Sequence, residues 1–137
     1  MDGEHDLTRL RRTMAPRLDE RTFVYCCLAD FALPIGLTAL CTVREVEGLT
    51  AIVEKRDAER CGLAYVFESR LITLTVHSAL DAVGFLALVT GRLAAAGIAC
   101  NAIAGYHHDH LLVPVARADE AMTVLQALAS DRIAAKR

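Results

Sequence analysis

Length, composition and charge exclude several classes of protein before any motif is considered. The chain has 137 residues, enough to bury one core or two small fused ones. Its 15 basic and 17 acidic side chains nearly cancel, so we expect no nucleic-acid partner and no anionic membrane partner. Although 54% of the residues are hydrophobic, no apolar run approaches the roughly 20 residues that cross a bilayer, and the polar N-terminus is unlike a signal peptide. We therefore expect a cytoplasmic protein whose surplus apolar surface lies partly against a partner subunit.

The first half of the chain predicts a short helix and then strands around a loop. Asp6–Met14 has apolar residues at helical spacing and ends before Pro16, and its arginines are interpreted as a solvated face. The elements predicted after it are a strand at Thr22–Leu28, a loop at Asp30–Gly36, a hairpin of strands at Ala39–Glu45 and Leu49–Glu54, a charged helix at Lys55–Cys61 and a strand at Ala64–Phe67.

The second half predicts strand, helix, hairpin and helix. Leu71–His77 alternates as a strand, and Ser78 and Asp81 then supply two possible helix caps. The elements predicted after them are a helix at Ala82–Ala96 ended by Gly97, strands at Ile98–Ala104 and His110–Val115 joined by a turn at Tyr106–Asp109, and a helix at Asp119–Ala129.

Both halves are incomplete copies of a βαββαβ unit. The second half lacks the last strand, and in the first half a Pro/Gly loop stands where the first helix belongs. Because an unpaired sheet edge is a liability, we expect the edge beside Leu71–His77 to be occupied by a strand from Thr22–Phe67 or by a partner subunit. Pro114 cannot donate to a ladder, so pairing is expected to fail near it.

Two stretches of the second half resemble the ACT domain, a small ferredoxin-like regulatory module. They are DAVGFL at 81–86 and LAAAGIACN at 93–101, and Val83 departs from the pattern because many ACT domains carry proline there. The stretch GYHHDHLLVPV at 105–115 narrows the match to short stand-alone tandem ACT proteins. The resemblance implies an α+β fold of two incomplete ferredoxin-like units with antiparallel sheets and helices on one face. We divide the chain into an N-terminal helix and lead-in at 1–21, a degenerate first ACT-like unit at 22–68, a second at 69–130 and a tail at 131–137.

The loop Ser78–Asp81 and the first helical turn after it form the candidate ligand site. Free backbone N–H groups at a helix N-terminus suit a carboxylate, and a ligand can approach a glycine closely. The resemblance implies an amino acid held between this loop and a neighbouring ACT unit. The predicted ligand-binding residues are Ser78, Asp81, Val83, Gly84, Phe85, Leu86 and Asn101. Alternatively, Ser78 and Asp81 only cap the helix. Valine is expected to replace Gly84 at little cost to stability.

The cluster His107–His110 supports a rival hypothesis, a metal-binding protein or metal-dependent enzyme. Strand alternation places His108 and His110 on one face and His107 on the other, so we expect no convergence of the three on one ion. A turn held by an Asp109 hydrogen bond explains the same residues without metal.

The remaining chemistry-bearing residues indicate binding rather than catalysis. The five cysteines have no metal or redox spacing and are interpreted as buried reduced thiols. We predict no catalytic residue, no metal and no cofactor. The partners expected are a small-molecule ligand, most plausibly an amino acid, and further copies of the chain in a homodimer or higher homo-oligomer. A ligand-free interaction module is the third possibility.

Overall fold

The computed structural model describes residues 3–130, which divide into two compact units. Unit 1 contains the described residues 3–19 and 71–130, and unit 2 contains residues 20–70. The elements are α1 (Leu7–Thr13), β1 (Pro16–Leu28), β2 (Cys41–Arg44), β3 (Leu49–Glu54), α2 (Lys55–Arg60), β4 (Val66–Leu74), α3 (Phe85–Ala95), β5 (Asn101–Ala104), β6 (Asp109–Pro114), a 3-10 turn (Val115–Arg117) and α4 (Ala118–Ser130). The predicted tail at 131–137 lies outside the described residues.

Unit 2 is a four-stranded sheet segment in the order β2–β3–β1–β4. Strand β3 runs antiparallel to both neighbours, with Leu49 opposite Leu28 of β1 and Arg44 of β2. Alternation along β1 points one face into the core, because Cys26 is buried whereas Cys27 is exposed. The buried apolar residues of this unit that cluster together are Val24, Cys26, Leu28, Leu37, Leu49, Ala51, Val53 and Ala58. The predicted loop after β1 is confirmed, so the first helix of a βαββαβ unit is missing here.

Unit 1 completes its sheet with the N-terminal part of β1. Its strands follow the order β1–β4–β6–β5, and the residues of β1 in this unit are Pro16–Asp19. Just before them, the Ala15 carbonyl accepts a hydrogen bond of 3.1 Å from the Thr75 N–H. The edge beside β4 is therefore occupied, as predicted, but by residues that precede the predicted start of this strand at Thr22. The predicted α+β class with two incomplete βαββαβ units is confirmed.

One strand, β4, replaces two predicted ones. The separate strands predicted at Ala64–Phe67 and Leu71–His77 were wrong, because the polar residues between them continue the strand. Ser69 is fully buried, and its hydroxyl donates to the Phe23 carbonyl at 3.0 Å. A satisfied buried hydroxyl costs little, so the polar stretch does not interrupt the sheet.

The core of unit 1 lies where α1, α3 and α4 meet the strands. Its buried side chains include Leu10, Ile72, Leu74, Phe85, Val89, Leu93, Leu111, Val113, Leu125 and Leu128. The solvated face predicted for α1 was wrong at Arg11, which is only 5% exposed. Its guanidinium donates to the Leu128 carbonyl at 3.0 Å, so this buried charge has a hydrogen-bond partner.

Two further findings concern the cysteines and the helix lengths. All five cysteines are free thiols, but burial was wrong for Cys27 and incomplete for Cys41, Cys61 and Cys100. Desolvation raises the pKa of the Cys26 and Cys100 thiols, which keeps them protonated. Within residues 3–130, every helix is too short or too polar to cross a bilayer.

Candidate functional site

Helix α3 begins at Phe85, three residues later than the predicted start at Ala82. Its N-cap is Gly84, whose φ of 91° lies in the left-handed region that favours glycine. The residues before it form a turn in which the Ala82 N–H bonds to the Ala79 carbonyl at 3.0 Å. The apolar pattern of the sequence runs on through Ala82 and Val83, but the backbone reaches helical geometry only after the glycine.

The start of α3 has no side-chain cap. Gly84 offers no acceptor, and neither Ser78 nor Asp81 occupies the cap position, so the interpretation that they only cap the helix was wrong. The first helical hydrogen bond of α3 joins the Leu88 N–H to the Gly84 carbonyl at 2.9 Å, so the N–H groups of residues 85–87 have no partner within the helix. Together with the positive end of the helix dipole they form a favourable place for an anion.

Gly84 combines open surroundings with a demanding backbone. A Cβ added there would meet only the Leu7 side chain, at 3.8 Å, so a ligand can approach closely. The expectation that valine fits at little cost was wrong, because a β-branched residue at φ 91° is strained whatever the space.

Ser78 bonds to the β5–β6 hairpin and does not cap α3. It is 8% exposed, and its hydroxyl donates to the Asp109 carboxylate at 3.0 Å. Asp109 is also buried, at the start of β6. The Asp109 carboxylate was predicted to support its own turn, and its partner is instead the loop that leads to α3. The bond fixes that loop to the β5–β6 hairpin.

Asp81 is exposed and is bound by a residue that sequence reasoning missed. The Nε2 of His5 lies 2.6 Å from an Asp81 carboxylate oxygen, and both side chains are more than half exposed. This hydrogen bond is the main reason that the pKa of the Asp81 carboxyl is lowered, against an opposing effect of desolvation. The two residues stand 76 positions apart, and no periodicity in the sequence links them.

The other predicted ligand residues separate into exposed and buried ones. Val83 is 87% exposed beside Gly84, and Leu86 is partly buried. The Phe85 side chain is in the core, so only its backbone can serve a ligand. Asn101 is exposed at the start of β5, opposite Leu112 of β6. Asp81, Val83 and Gly84 thus lie on one exposed loop, whereas the side chains of Ser78 and Phe85 do not face solvent.

The histidines of the β5–β6 hairpin bond to separate groups. His108 Nδ1 lies 3.3 Å from the Val76 carbonyl, and His110 Nδ1 lies 2.9 Å from the Thr73 hydroxyl. Burial and then the charge of His108 lower the pKa of His110. Among residues 3–130, no three His, Cys, Asp or Glu side chains are grouped as metal ligands would be.

The remaining histidine of the hairpin, His107, makes edge-to-face and tilted ring contacts. The His107 ring lies 4.9 Å from the Tyr106 ring and 5.1 Å from the His77 ring, centroid to centroid. The His77 Nε2 atom is buried without a hydrogen-bond partner. This contact packs the hairpin turn against the end of the segment after β4.

Comparisons with known proteins identify both halves of the chain. Sequence models described as ACT domain match residues 2–70 and, separately, residues 66–127. Among curated proteins, no sequence matches the chain. A crystal structure of a Vibrio cholerae protein of unknown function, described as a possible transport protein, is 39% identical, with a TM-score of 0.78 over 90% of this chain and 95% of that one.

Two more distant structures share the fold. An Agrobacterium tumefaciens protein is 16% identical, with a TM-score of 0.70 over 85% of this chain and 89% of its own. The regulatory subunit of aspartate kinase from Thermus thermophilus, in a ligand-free form, is 11% identical, with a TM-score of 0.65 over 86% and 97% of the two chains.

Proposed function

We propose that this chain, which belongs to the ACT-domain family, is a regulatory protein that binds a small molecule, an amino acid, at an interface between ACT units. The observation that supports this most directly is the uncapped start of α3 next to the exposed Asp81 carboxylate. The helix start offers hydrogen-bond donors and positive potential, and the Asp81 carboxylate offers a negative charge. An α-amino acid carries the two complementary groups on one carbon atom.

The proposed pose follows from these charges. The ligand carboxylate takes the backbone N–H groups at the start of α3, and the ammonium group takes Asp81. The exposed Val83 and Asn101 contact the rest of the ligand, and Gly84 gives the room for its approach. Ser78 acts indirectly, because its bond to Asp109 holds the loop in place.

Regulation then depends on assembly. We propose a cytoplasmic homodimer or larger oligomer, since several apolar side chains near the site, among them Leu80, Val83 and Tyr106, are at least half exposed. A ligand that binds one arrangement of ACT units better than another shifts their populations, and the output passes to a partner or to the oligomer itself. We assign no reaction to the chain. The domain boundaries after residues 21, 68 and 130 remain a prediction.

A thermal-shift screen against the twenty L-amino acids tests the function. An amino acid that binds the folded protein raises its melting temperature in a concentration-dependent way. If none of the twenty changes the melting temperature at millimolar concentration, amino-acid binding is wrong. Light scattering at micromolar concentration tests the assembly, and a monomeric mass there would contradict the proposed homo-oligomer.

Calorimetry on two variants tests the location. Asn101→Ala is expected to weaken binding by about 1–3 kcal/mol, because a ligand group buried against this amide loses its partner. Gln126→Ala truncates an exposed amide on α4, outside the site, and is expected to leave the affinity unchanged. If the wild type and both variants bind the ligand with equal affinity, Asn101 is not part of the site.

A further inference from the structure

The segment before α1 lies along the loop that leads to α3. We call Gly3–Leu7 the N-terminal strap. The Glu4 N–H donates to the His77 carbonyl at 2.8 Å, and the Ala79 N–H donates to the Glu4 carbonyl at 3.0 Å, which makes an isolated parallel bridge. Farther along, Leu7 is the side chain nearest to the position that a Gly84 Cβ would take. The strap therefore follows the loop from its beginning to the start of the helix.

His5 gives the strap its polar contact with the loop. A carboxylate only accepts hydrogen bonds, so the Nε2 atom 2.6 Å from Asp81 must carry a proton. Both the imidazolium and the neutral Nε2–H tautomer satisfy this requirement. In the proposed pose, the same carboxylate takes the ammonium group of an amino acid, which is also a hydrogen-bond donor.

The strap has two carboxylates, and both bond within the N-terminal segment rather than at the start of α3. That of Asp6 accepts from the Thr8 and Arg9 N–H groups at the start of α1, at 3.0 and 3.2 Å. Glu4 turns back on its own segment, accepting from the N–H groups of His5 and Asp6 at 3.1 and 3.0 Å and pairing with Arg9 at 3.4 Å. The strap thus occupies the ammonium position and leaves the carboxylate position open. The His5 imidazole takes the place of the ligand ammonium group, and no group of Gly3–Leu7 takes the place of the ligand carboxylate.

We propose that the N-terminal strap is an intramolecular competitor of the ligand, with the His5 imidazole in the place of the ligand ammonium group at Asp81. The inference rests on the proposed function, since it concerns the same loop. For an amino acid to bind in the proposed pose, His5 must leave Asp81 and the strap must lift. The apparent affinity of the protein then equals the affinity of the open form multiplied by the fraction of molecules that are open.

The contacts that hold the strap on the loop are weak enough to break and form again. Both partners of the hydrogen bond between His5 and Asp81 are more than half exposed, so water weakens it, and surface pairs of this kind change an equilibrium by about two- to fivefold. Gly3 is a second control point that leaves His5 and Asp81 intact. Its φ is 118°, and a Cβ there would lie 2.7 Å from the Ala79 backbone.

Hydrogen exchange tests the strap without any ligand. In the full chain, exchange of the Glu4 and Ala79 backbone N–H groups is measured by NMR for the wild type, His5→Ala and Gly3→Ala. We expect about two- to fivefold faster exchange in His5→Ala, and at least about fivefold in Gly3→Ala because strain and overlap both open the bridge. Arg12→Ala, an exposed change on α1, is the control and is expected to leave both rates unchanged. Unchanged rates in both strap variants would overturn the proposal.

Binding of the twenty L-amino acids separates this proposal from the proposed function. For any amino acid that binds, both strap variants are expected to bind about two- to fivefold more tightly or better than the wild type, and Arg12→Ala equally tightly. Weaker binding by His5→Ala would make His5 part of the ligand site and overturn the competition. If no amino acid binds any of the four proteins, the proposed function is wrong and the competition fails with it. The exchange rates then still decide whether His5 holds the strap closed.

Discussion

Replacing Ser78 with alanine removes a buried side-chain hydrogen bond that ties the loop before α3 to the β5–β6 hairpin. The donor and the acceptor, Asp109, are 8% and 7% exposed, and their oxygens are 3.0 Å apart. A hydrogen bond to a charged group contributes about 1.5–3 kcal/mol, and little solvent is present to replace it here. We expect Ser78→Ala to lower the free energy of unfolding by about 1.5–3 kcal/mol. For a chain of this length that is a fall in melting temperature of roughly 5–10 °C.

Urea unfolding followed by circular dichroism measures this free energy for the wild type, Ser78→Ala, Asp109→Ala and the double variant. Because the two side chains interact directly, the double variant should lose less stability than the sum of the single losses, by about 1–3 kcal/mol. Ser130→Ala is the matched control, since its hydroxyl is exposed and bonds to carbonyls of its own helix, and it should change stability by less than about 0.5 kcal/mol. If Ser78→Ala costs no more than this control, or if the losses add, the bond does not hold the loop.

Three further predictions concern other parts of unit 1. Arg11→Met should lower the free energy of unfolding by about 1–3 kcal/mol, because it leaves the Leu128 carbonyl without its buried donor. Arg12→Ala, on the exposed side of α1, should have almost no effect in the same urea experiment. Since burial lowers the pKa of His110 below its ordinary value of 6.5, the unfolded chain binds the proton more readily; stability should be full above that pH and fall below it. In melting curves recorded from pH 8 to 5, His110→Gln should lose less stability on acidification than the wild type. If both proteins lose the same stability, the pH dependence does not come from His110. Gly91→Ala, inside α3 with open space around it, should raise stability by up to about 1 kcal/mol. Gly84→Ala should lower stability by about 1–2 kcal/mol, because alanine is strained at the positive φ of this position. A change of the same sign in both variants would contradict the assignment of these effects to the backbone.

Local patterns predicted the fold well where sequence and packing agree. Strand β3 was predicted with its bounds, because Leu49–Glu54 is a short apolar run between turn residues and is buried along most of its length. The start of α3 was missed because Ala82 and Val83 continue the apolar pattern, and periodicity does not register the φ of a following glycine. The break predicted between two strands, where β4 runs on, was wrong because the polar Ser69 is buried in the sheet with its hydroxyl hydrogen-bonded.

The candidate site was predictable only in part, for a related reason. Gly84 and the helix after it are local features, and they pointed to the start of this helix as the candidate site, although not to its missing side-chain cap. The pairs His5–Asp81 and Ser78–Asp109 join residues far apart in the chain, and either member alone reads as an ordinary polar surface residue. Arg11 was misassigned in the same way, because its partner is a carbonyl of a distant helix. Such contacts depend on tertiary packing.

Unit 2 interrupts unit 1 in the sequence, and this order has a consequence during synthesis of the chain. Helix α1 and Pro16–Asp19 leave the ribosome before the roughly 50 residues of unit 2, and the Leu71–Leu74 part of β4 follows only after them. At about 5–20 residues per second, Pro16–Asp19 waits ~3–10 s for its neighbour in the sheet. During that time it is an open edge, and its composition suits the delay. Pro16 has no N–H to offer another strand, and the charges of Arg17 and Asp19 oppose pairing with the wrong one.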